Sequence, residues 1–411
     1  MKIQEHRLIS GLSGNEIYFL ERMGYRPGQL CVGNSVVALG IARGIGAGLS
    51  TLGGGEIEEI THLVNDGRRR SFDRMMEEAG RYGGVGVTGV SFDLVNHSGN
   101  LEFLTIGSTV RKEGRDTLQF STSADVAKLW CQVDAGFTPI RFVFGNVAYS
   151  IGLGGSIAGG FRSLARGEVR EYTEIFDRTR HLALTRITDE AKRCRANAVV
   201  GIETTISPLL GAQEMMMVGT ASHHPAIDSA LPVTSDMTNE ELWNMVNIGF
   251  LPLRLVMGVS VYSLGLKGGI FSTLQSLGGG EVSGLTEILY EAREKALARI
   301  EADAERCGAD EVVGVKTRIY DLGGGLIEFM AIGTAVKRVA GAKTKADQLP
   351  PQAILQDRET FVDASDVAGA TSMNVGKSNA ASAKKTQAGP VTFIVMVMMA
   401  AFYAFVFLSR H

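Results

Sequence analysis

The chain has 411 residues, 45% hydrophobic and 21% charged, and a formal net charge of −3. That length suits about three domains of ordinary size. Charges of both signs are interspersed and Arg68-Arg69-Arg70 is the one basic run, which argues against a nucleic-acid surface, since phosphate tracking needs many cations on one face. Four scattered cysteines without a C-x-x-C pair argue against a disulfide-stapled secreted scaffold and point to a reducing compartment.

Residues 1–11 mix charge and polarity, so no secretory signal is expected there. The first predicted element is a short amphipathic helix that opens on Ser13-Gly14-Asn15-Glu16, a capping box, and is stopped by Gly24. An extended segment follows, and then the turn Leu52-Gly53-Gly54-Gly55-Glu56. A long helix comes next, its small and apolar stripe being Val64, Gly67, Ser71, Met75, Ala79 and Tyr82. Two strands close the unit.

This order, helix, strand, helix, strand, strand, returns twice. The Gly-Glu turns at Glu56, Glu168 and Glu281 are spaced by 112 and then 113 residues, and each is followed by Thr61, Thr173 or Thr286. Gly24/Gly136/Gly249, Pro27/Pro139/Pro252, Gly40/Gly152/Gly265 and Arg68/Arg180/Arg293 keep the same period. A fixed long period means one structural unit used three times. The second unit opens at Asp125 with Leu129-Trp130 on its apolar side; the third opens on Thr238-Asn239-Glu240-Glu241, again a capping box. In the third long helix Leu289, Ala292, Ala296, Ile300, Ala304 and Cys307 form the stripe, and Gly258 marks a close backbone approach in the strand before it.

Beyond residue 340 the composition shifts to Ala, Ser, Lys, Gln and Asp with Pro350-Pro351, which predicts a flexible tether over 341–390 with at most a short helix near 354–361. Fifty residues of flexible coil span roughly 40 Å. Residues 391–408 carry no charge and are long enough for one transmembrane helix. The expectation is a tail anchor in the cell's inner, cytoplasmic membrane with the repeats facing the cytoplasm; Lys384 and Lys385 agree with that orientation, while Arg410 beyond the run weakens it.

The segment from Gly278-Gly279-Gly280-Glu281 through Cys307-Gly308-Ala309-Asp310, Val312-Val313-Gly314-Val315 and Gly333-Thr334-Ala335 resembles the YbjQ family, which carries a heavy-metal-binding label. Ala196 to Ile202 with Gly219-Thr220-Ala221 repeats the pattern, and Gly86 to Val90 with Gly107-Ser108-Thr109 is its divergent form. The resemblance implies an α/β (α+β two-layer) fold of three dodecin-like units, each one long helix on a small antiparallel sheet, at 11–112, 123–222 and 236–338. It also implies homo-oligomeric rings, typically pentamers. Three units cannot close a fivefold ring within one chain, so the expected partner is the chain itself, five copies forming three stacked rings.

Little chemistry is legible. Structural zinc takes four Cys or His ligands, usually in close pairs. The repeat offers Cys194 and Cys307, both on apolar helix stripes and expected to pack in the core, with Tyr82 in the third place. His223-His224 is an adjacent pair in an expected solvated linker. These four are the weak metal-ion candidates. Met215-Met216-Met217 reads as strand, with Met215 and Met217 on one core-facing side. The glycine loops at 44–48 and 152–155 lack the G-x-x-x-x-G-K-[ST] pattern of a phosphate cradle. The recurring Glu56/Glu168/Glu281, Glu102/Glu214/Glu328 and Arg74/Arg186/Arg299 are expected to form inter-unit salt bridges or helix caps rather than an acid–base pair. The functional expectation is a membrane-anchored, ring-forming scaffold; the alternative is a metal-binding or metal-responsive protein at the membrane face. No catalytic or cofactor-binding residues are read, so no enzyme is expected, with a hydrolase or nucleotide binder as the remote alternative.

Overall fold

The computed structural model describes residues 8–38, 55–97, 100–150, 167–264, 283–323, 326–350, 361–363 and 372–375. It contains three units of one design. In the first, α1 (Gly14–Arg22) leads into β1 (Arg26–Ala38), α2 (Glu58–Arg81), β3 (Gly86–His97) and β4 (Asn100–Arg111). The second comprises α3 (Val126–Asp134), β6 (Thr138–Ser150), α4 (Arg170–Arg193), β8 (Ala198–Leu209) and β9 (Ala212–His223). The third comprises α5 (Asn239–Asn247), β11 (Phe250–Ser263), α6 (Ser283–Arg306), β12 (Glu311–Gly323) and β13 (Leu326–Arg338). In each unit the three long strands are antiparallel, with the last strand central: β1-β4-β3, β6-β9-β8 and β11-β13-β12.

Local chemistry explains the element boundaries. Ser13 Oγ accepts from Glu16 N and Glu16 Oε2 from Ser13 N, the predicted capping box; Thr238 and Glu241 do the same for α5, and Asp125 Oδ1 accepts from Lys128 N at 2.9 Å for α3. Gly24, Gly136 and Gly249 follow these helices with φ of +71°, +93° and +90°, a region open mainly to glycine. Gly258 lies where β11 passes under α6: a Cβ there would sit 2.0 Å from Ala296 O.

Each long helix is covered by its own sheet, and the first two, α2 and α4, are covered a second time. The helix's own sheet buries one side, as Val256, Tyr262, Phe329 and Ala331 do against Ala292, Ala296 and Ile300 of α6. The sheet of the following unit covers another side: Phe72 of α2 and Phe92 of β3 pack with Phe142 and Phe144 of β6, and Phe176 and Leu184 of α4 share a core with Leu255, Met257 and Val259 of β11. The short helices gather in a separate cluster with Phe19, Leu20, Leu129, Leu242, Trp243 and Val246 at its centre.

Four two-residue strands stitch the units. β2 (Gly55–Glu56) pairs antiparallel with β6, and β7 (Gly167–Glu168) with β11. In the links between units, β5 (Phe120–Ser121) runs parallel to β3 and β10 (Val233–Thr234) parallel to β8.

Two expectations are corrected. The first two Gly-Glu segments are not turns within their units but added strands on the next. Successive units of one chain meet through a recurring junction, because a long helix with two apolar sides is covered by the nearest available sheet, which is the following unit's. Within the expected tether, β14 (Phe361–Asp363) pairs with β8 and β15 (Ser372–Val375) with β3; exposed edges of small sheets recruit any extended segment within reach. The expected short helix at 354–361 lies outside the described residues save Phe361, as do Gly40, Gly152 and Gly265, the glycine loops and the apolar run 391–408. Among the described residues no helix is long and apolar enough to cross a membrane.

Candidate functional site

The recurring chemistry of the molecule lies at the junctions between units. At the first, Arg68 of α2 forms a two-pronged ion pair with Glu214 of β9: Nη1 donates to Oε1, and Nη2 to Oε2 at 2.7 Å. Asn146 Nδ2 of β6 also donates to Glu214 Oε1 at 3.0 Å. At the second junction Arg180 of α4 donates to Glu328 of β13 through Nε at 3.2 Å and through Nη2 at 3.0 and 2.9 Å. The side chains of this second pair are 1% and 0% exposed. The Arg180 guanidinium also lies 4.4 Å from the Tyr149 ring centroid. Burial opposes its charge, but Glu328 and Tyr149 outweigh that cost and raise its pKa.

A second ion pair ties the added strand down. Arg186 Nη1 meets Glu56 Oε1 at 2.7 Å, and Arg299 Nη2 meets Glu168 Oε1 at 2.6 Å. The recurring threonine completes each junction: Thr61 Oγ1 accepts from Ala148 N and Thr173 Oγ1 from Val261 N, both at 2.9 Å. Glycine serves the strand directly, with φ of +106° at Gly55 and +138° at Gly167. The Gly-Glu-x4-Thr part of the motif is therefore, in the first two units, a docking motif for the neighbouring unit. The expectation that the repeated acids and arginines join units holds for Glu56, Glu168, Glu214 and Glu328. Their partners are Arg186, Arg299, Arg68 and Arg180. The third Gly-Glu segment, with Glu281, lies outside the described residues.

Beside each junction lies a cleft, and the two clefts are repeat counterparts. One of about 570 Å³ is lined by Asp73, Glu77, Leu118, Phe120, Ile140 and Arg141. The other, of about 500 Å³, is lined by Thr185, Asp189, Leu231, Val233, Leu253 and Arg254. Arg141 approaches Asp73 across the first cleft at 3.6 Å, whereas Arg254 of the second cleft approaches Asp303 of α6, outside its lining, at 3.8 Å.

The metal candidates are not brought together. Among the described residues no group of three or more His, Cys, Asp or Glu is placed to hold an ion. Cys194 caps the end of α4 and Cys307 directly follows α6; both are half-buried rather than packed in the core, because helix ends fall at the sheet margin. Burial raises both thiol pKa values. The fully buried cysteines are Cys31 and Cys131, and burial aided by Glu78 pushes Cys31 up to about 12. His223 ends β9 exposed, but His224 is buried against the Phe137 ring at 4.5 Å, contrary to the expected solvated linker. Asn197 holds that segment by donating to His224 O and accepting from His224 N, each at 2.8 Å. His224 Nδ1 accepts from Ala226 N at 3.2 Å, and burial lowers its pKa, both consistent with a neutral imidazole in a structural role. Met215 and Met217 are buried on one face of β9 beneath α4, as expected.

The family described as putative heavy-metal-binding, YbjQ, matches residues 25–113, 138–224 and 251–339, together more than half of the chain. The protein belongs to the YbjQ family. Over 222 residues, 51% of this chain, it is 32% identical to an encapsulin nanocompartment protein of Mycobacterium tuberculosis, covering 82% of that protein. A UPF0145 protein of Thermoplasma acidophilum is 36% identical over 99 residues, 22% of this chain and 83% of its own length. One from Thermotoga maritima is 42% identical over 80 residues, 19% of this chain and 76% of its own length. The last two alignments are about the length of one unit, so this YbjQ chain is a tandem of a module similar to proteins that carry little more than one copy.

Proposed function

We propose that the protein is a self-assembling scaffold whose three YbjQ units serve as building blocks of a larger homo-oligomer. The observation that carries this reading is the junction itself: a unit buries one side of its helix and a charged guanidinium in its neighbour, so unit-to-unit association is the surface chemistry the repeat is built around. The relative described as an encapsulin nanocompartment protein supports an assembly role. In this reading the molecule has no catalytic duty, and the heavy-metal-binding name describes the family without a clustered ligand set among the described residues. Residues 391–408 act as a tail anchor, holding the assembly at the cytoplasmic face of a membrane. The test is the particle mass of the detergent-solubilised full chain by light scattering. A multiple of 44.0 kDa is expected, and a single-chain mass overturns the assembly reading. Deletion of 391–411 is expected to move the protein from the membrane fraction to the soluble one; a truncated chain that still pellets in high salt overturns the anchor.

A further inference from the structure

The junction seen twice within the chain has one half uncovered, among the described residues, on the first unit and the other on the third. The sheet face of the second unit that receives α2 carries Phe142, Phe144, Asn146, Ala148, Glu214, Met216 and Val218; its counterpart in the third unit receives α4. At the repeat positions in the first unit stand Leu30, Val32, Asn34, Val36, Glu102, Leu104 and Ile106, and among the described residues no long helix of another unit packs on them. Val36 is 58% exposed where Ala148 and Val261 are fully buried. The edge of β1 at Val37 and Ala38 also lacks the two-residue strand that β6 and β11 receive at the same place, among the described residues.

The other end is complementary. In the second unit, Ile202 and Ile206 on β8 are sealed by the third unit; their counterparts Val315 and Ile319 on β12 are uncovered among the described residues, Ile319 being 50% exposed against 1% for Ile206. On α6 the partly buried Leu289 and Leu297 stand where α4 carries Phe176 and Leu184. A free-standing repeat array ends in polar caps; both ends here present branched aliphatic side chains.

The charges match as well. Arg68 and Arg180 are spent on Glu214 and Glu328, but Arg293, the third of the series, lies over the Tyr290 ring at 4.9 Å, meets only its exposed neighbour Glu294 at 4.0 Å among the described ion pairs, and is 46% exposed. Glu102, the first of the acid series, is bonded among the described residues to His97 at 2.7 Å and Asn34 at 3.3 Å, with no arginine on it. Asn34 holds the place of Asn146, which donates to Glu214.

We propose that the chain docks head to tail: the open sheet face of the first unit receives the outer side of α6 and β12 from the third unit of a second copy, and Arg293 of that copy pairs with Glu102. This rests on the assembly reading and names its interface. A heterologous contact of this kind repeats from copy to copy until it closes a ring. The argument for a second copy as the occupant is continuity: the same apolar positions and the same arginine–glutamate pair already form the two internal junctions.

The test uses charge reversal in the full-length chain. Glu102→Arg sets two arginines against each other at every intermolecular junction, and Arg293→Glu sets two glutamates. Each alone is expected to weaken self-association by at least about 100-fold, so that light scattering reads 44.0 kDa at concentrations where the unaltered chain is oligomeric. Mixing the two variants sets opposite charges at every contact between unlike chains, so that at least mixed dimers form and even-membered assemblies close. The double variant Glu102→Arg/Arg293→Glu restores opposite charges at every junction. Association in the mixture and recovery of the parent oligomer in the double variant support the proposal and show that both single variants fold. An oligomeric parent whose mass neither variant changes overturns head-to-tail docking while leaving assembly standing, and so does loss without recovery. A monomeric parent overturns assembly itself.

Discussion

Replacing Arg180 by alanine tests whether the inner junction holds the second and third units together. The guanidinium makes three hydrogen bonds to Glu328, whose side chain has no solvent exposure. Removing the cation leaves a buried carboxylate without its counter-charge, which costs roughly 3–5 kcal/mol. Loss of the packing on the Tyr149 and Phe176 rings adds to it. The internal control is Arg299→Ala at the same junction: that pair is 34% and 13% exposed, and solvent screening limits its worth to about 0–1 kcal/mol. Arg180→Met combined with Glu328→Leu removes both charges and is expected to fall within about 1 kcal/mol of the parent or above it, since two desolvation penalties vanish together. Urea unfolding followed by the fluorescence of Trp130 and Trp243, which sit on the packed helices α3 and α5, reads all four proteins. Arg180→Ala costing under about 1 kcal/mol, or a double variant as damaged as the single, would refute the role given to the pair.

Gly258→Ala drives a methyl to 2.0 Å from Ala296 O and is expected to cost at least about 1–3 kcal/mol in thermal or urea unfolding; Gly14→Ala, with open space around it, is expected to be neutral or slightly stabilising. Cys31, buried with its pKa near 12, should resist iodoacetamide at pH 8 in the native protein while the half-buried Cys194 and Cys307 react first, as read by peptide mass spectrometry. Burial lowers the His224 pKa, so the unfolded chain binds the proton more readily. Its contribution is present above the unfolded value, about 6.5, and is lost as pH falls from there through the folded value. His224→Phe should flatten the urea midpoint over that window.

The repeat, the helix starts, the sequence of elements within a unit and the core side of Met215 and Met217 were legible because they depend on spacing of a few residues or on a constant long period. The junctions were legible only as recurrence. Arg68 and Glu214 are separated by 146 positions and Arg180 and Glu328 by 148, and that near-constant offset between unlike recurring charges was the available signal for the pairs. The destination of Gly55-Glu56 was hidden because two residues carry no strand periodicity; only the edge of β6 makes them a strand. His224 looked like linker because its cover, Phe137 and the cap from Asn197, comes from segments far away in sequence. Cys194 and Cys307 fit the helical stripe by spacing, yet a stripe does not show that its last member overhangs the sheet.

The unit count limits what assembly can look like. Because the junction is heterologous, a single chain contributes three consecutive positions to any path of units, and a closed path holds a multiple of three. A ring of five units, the habit implied by resemblance to single-module relatives, is therefore unavailable to one path of these chains; closure comes from two or more chains meeting end to end, or the path winds into a filament if the rotation at each junction does not close. If residues 391–408 anchor every copy as proposed, closure is favoured. Rotation about one axis, normal to the membrane, carries all tails to the same side, whereas a helical filament turns successive tails away from the surface. Head-to-tail docking and tail anchoring thus constrain each other, and cutting away the tail relieves the constraint on geometry without touching Arg293 or Glu102.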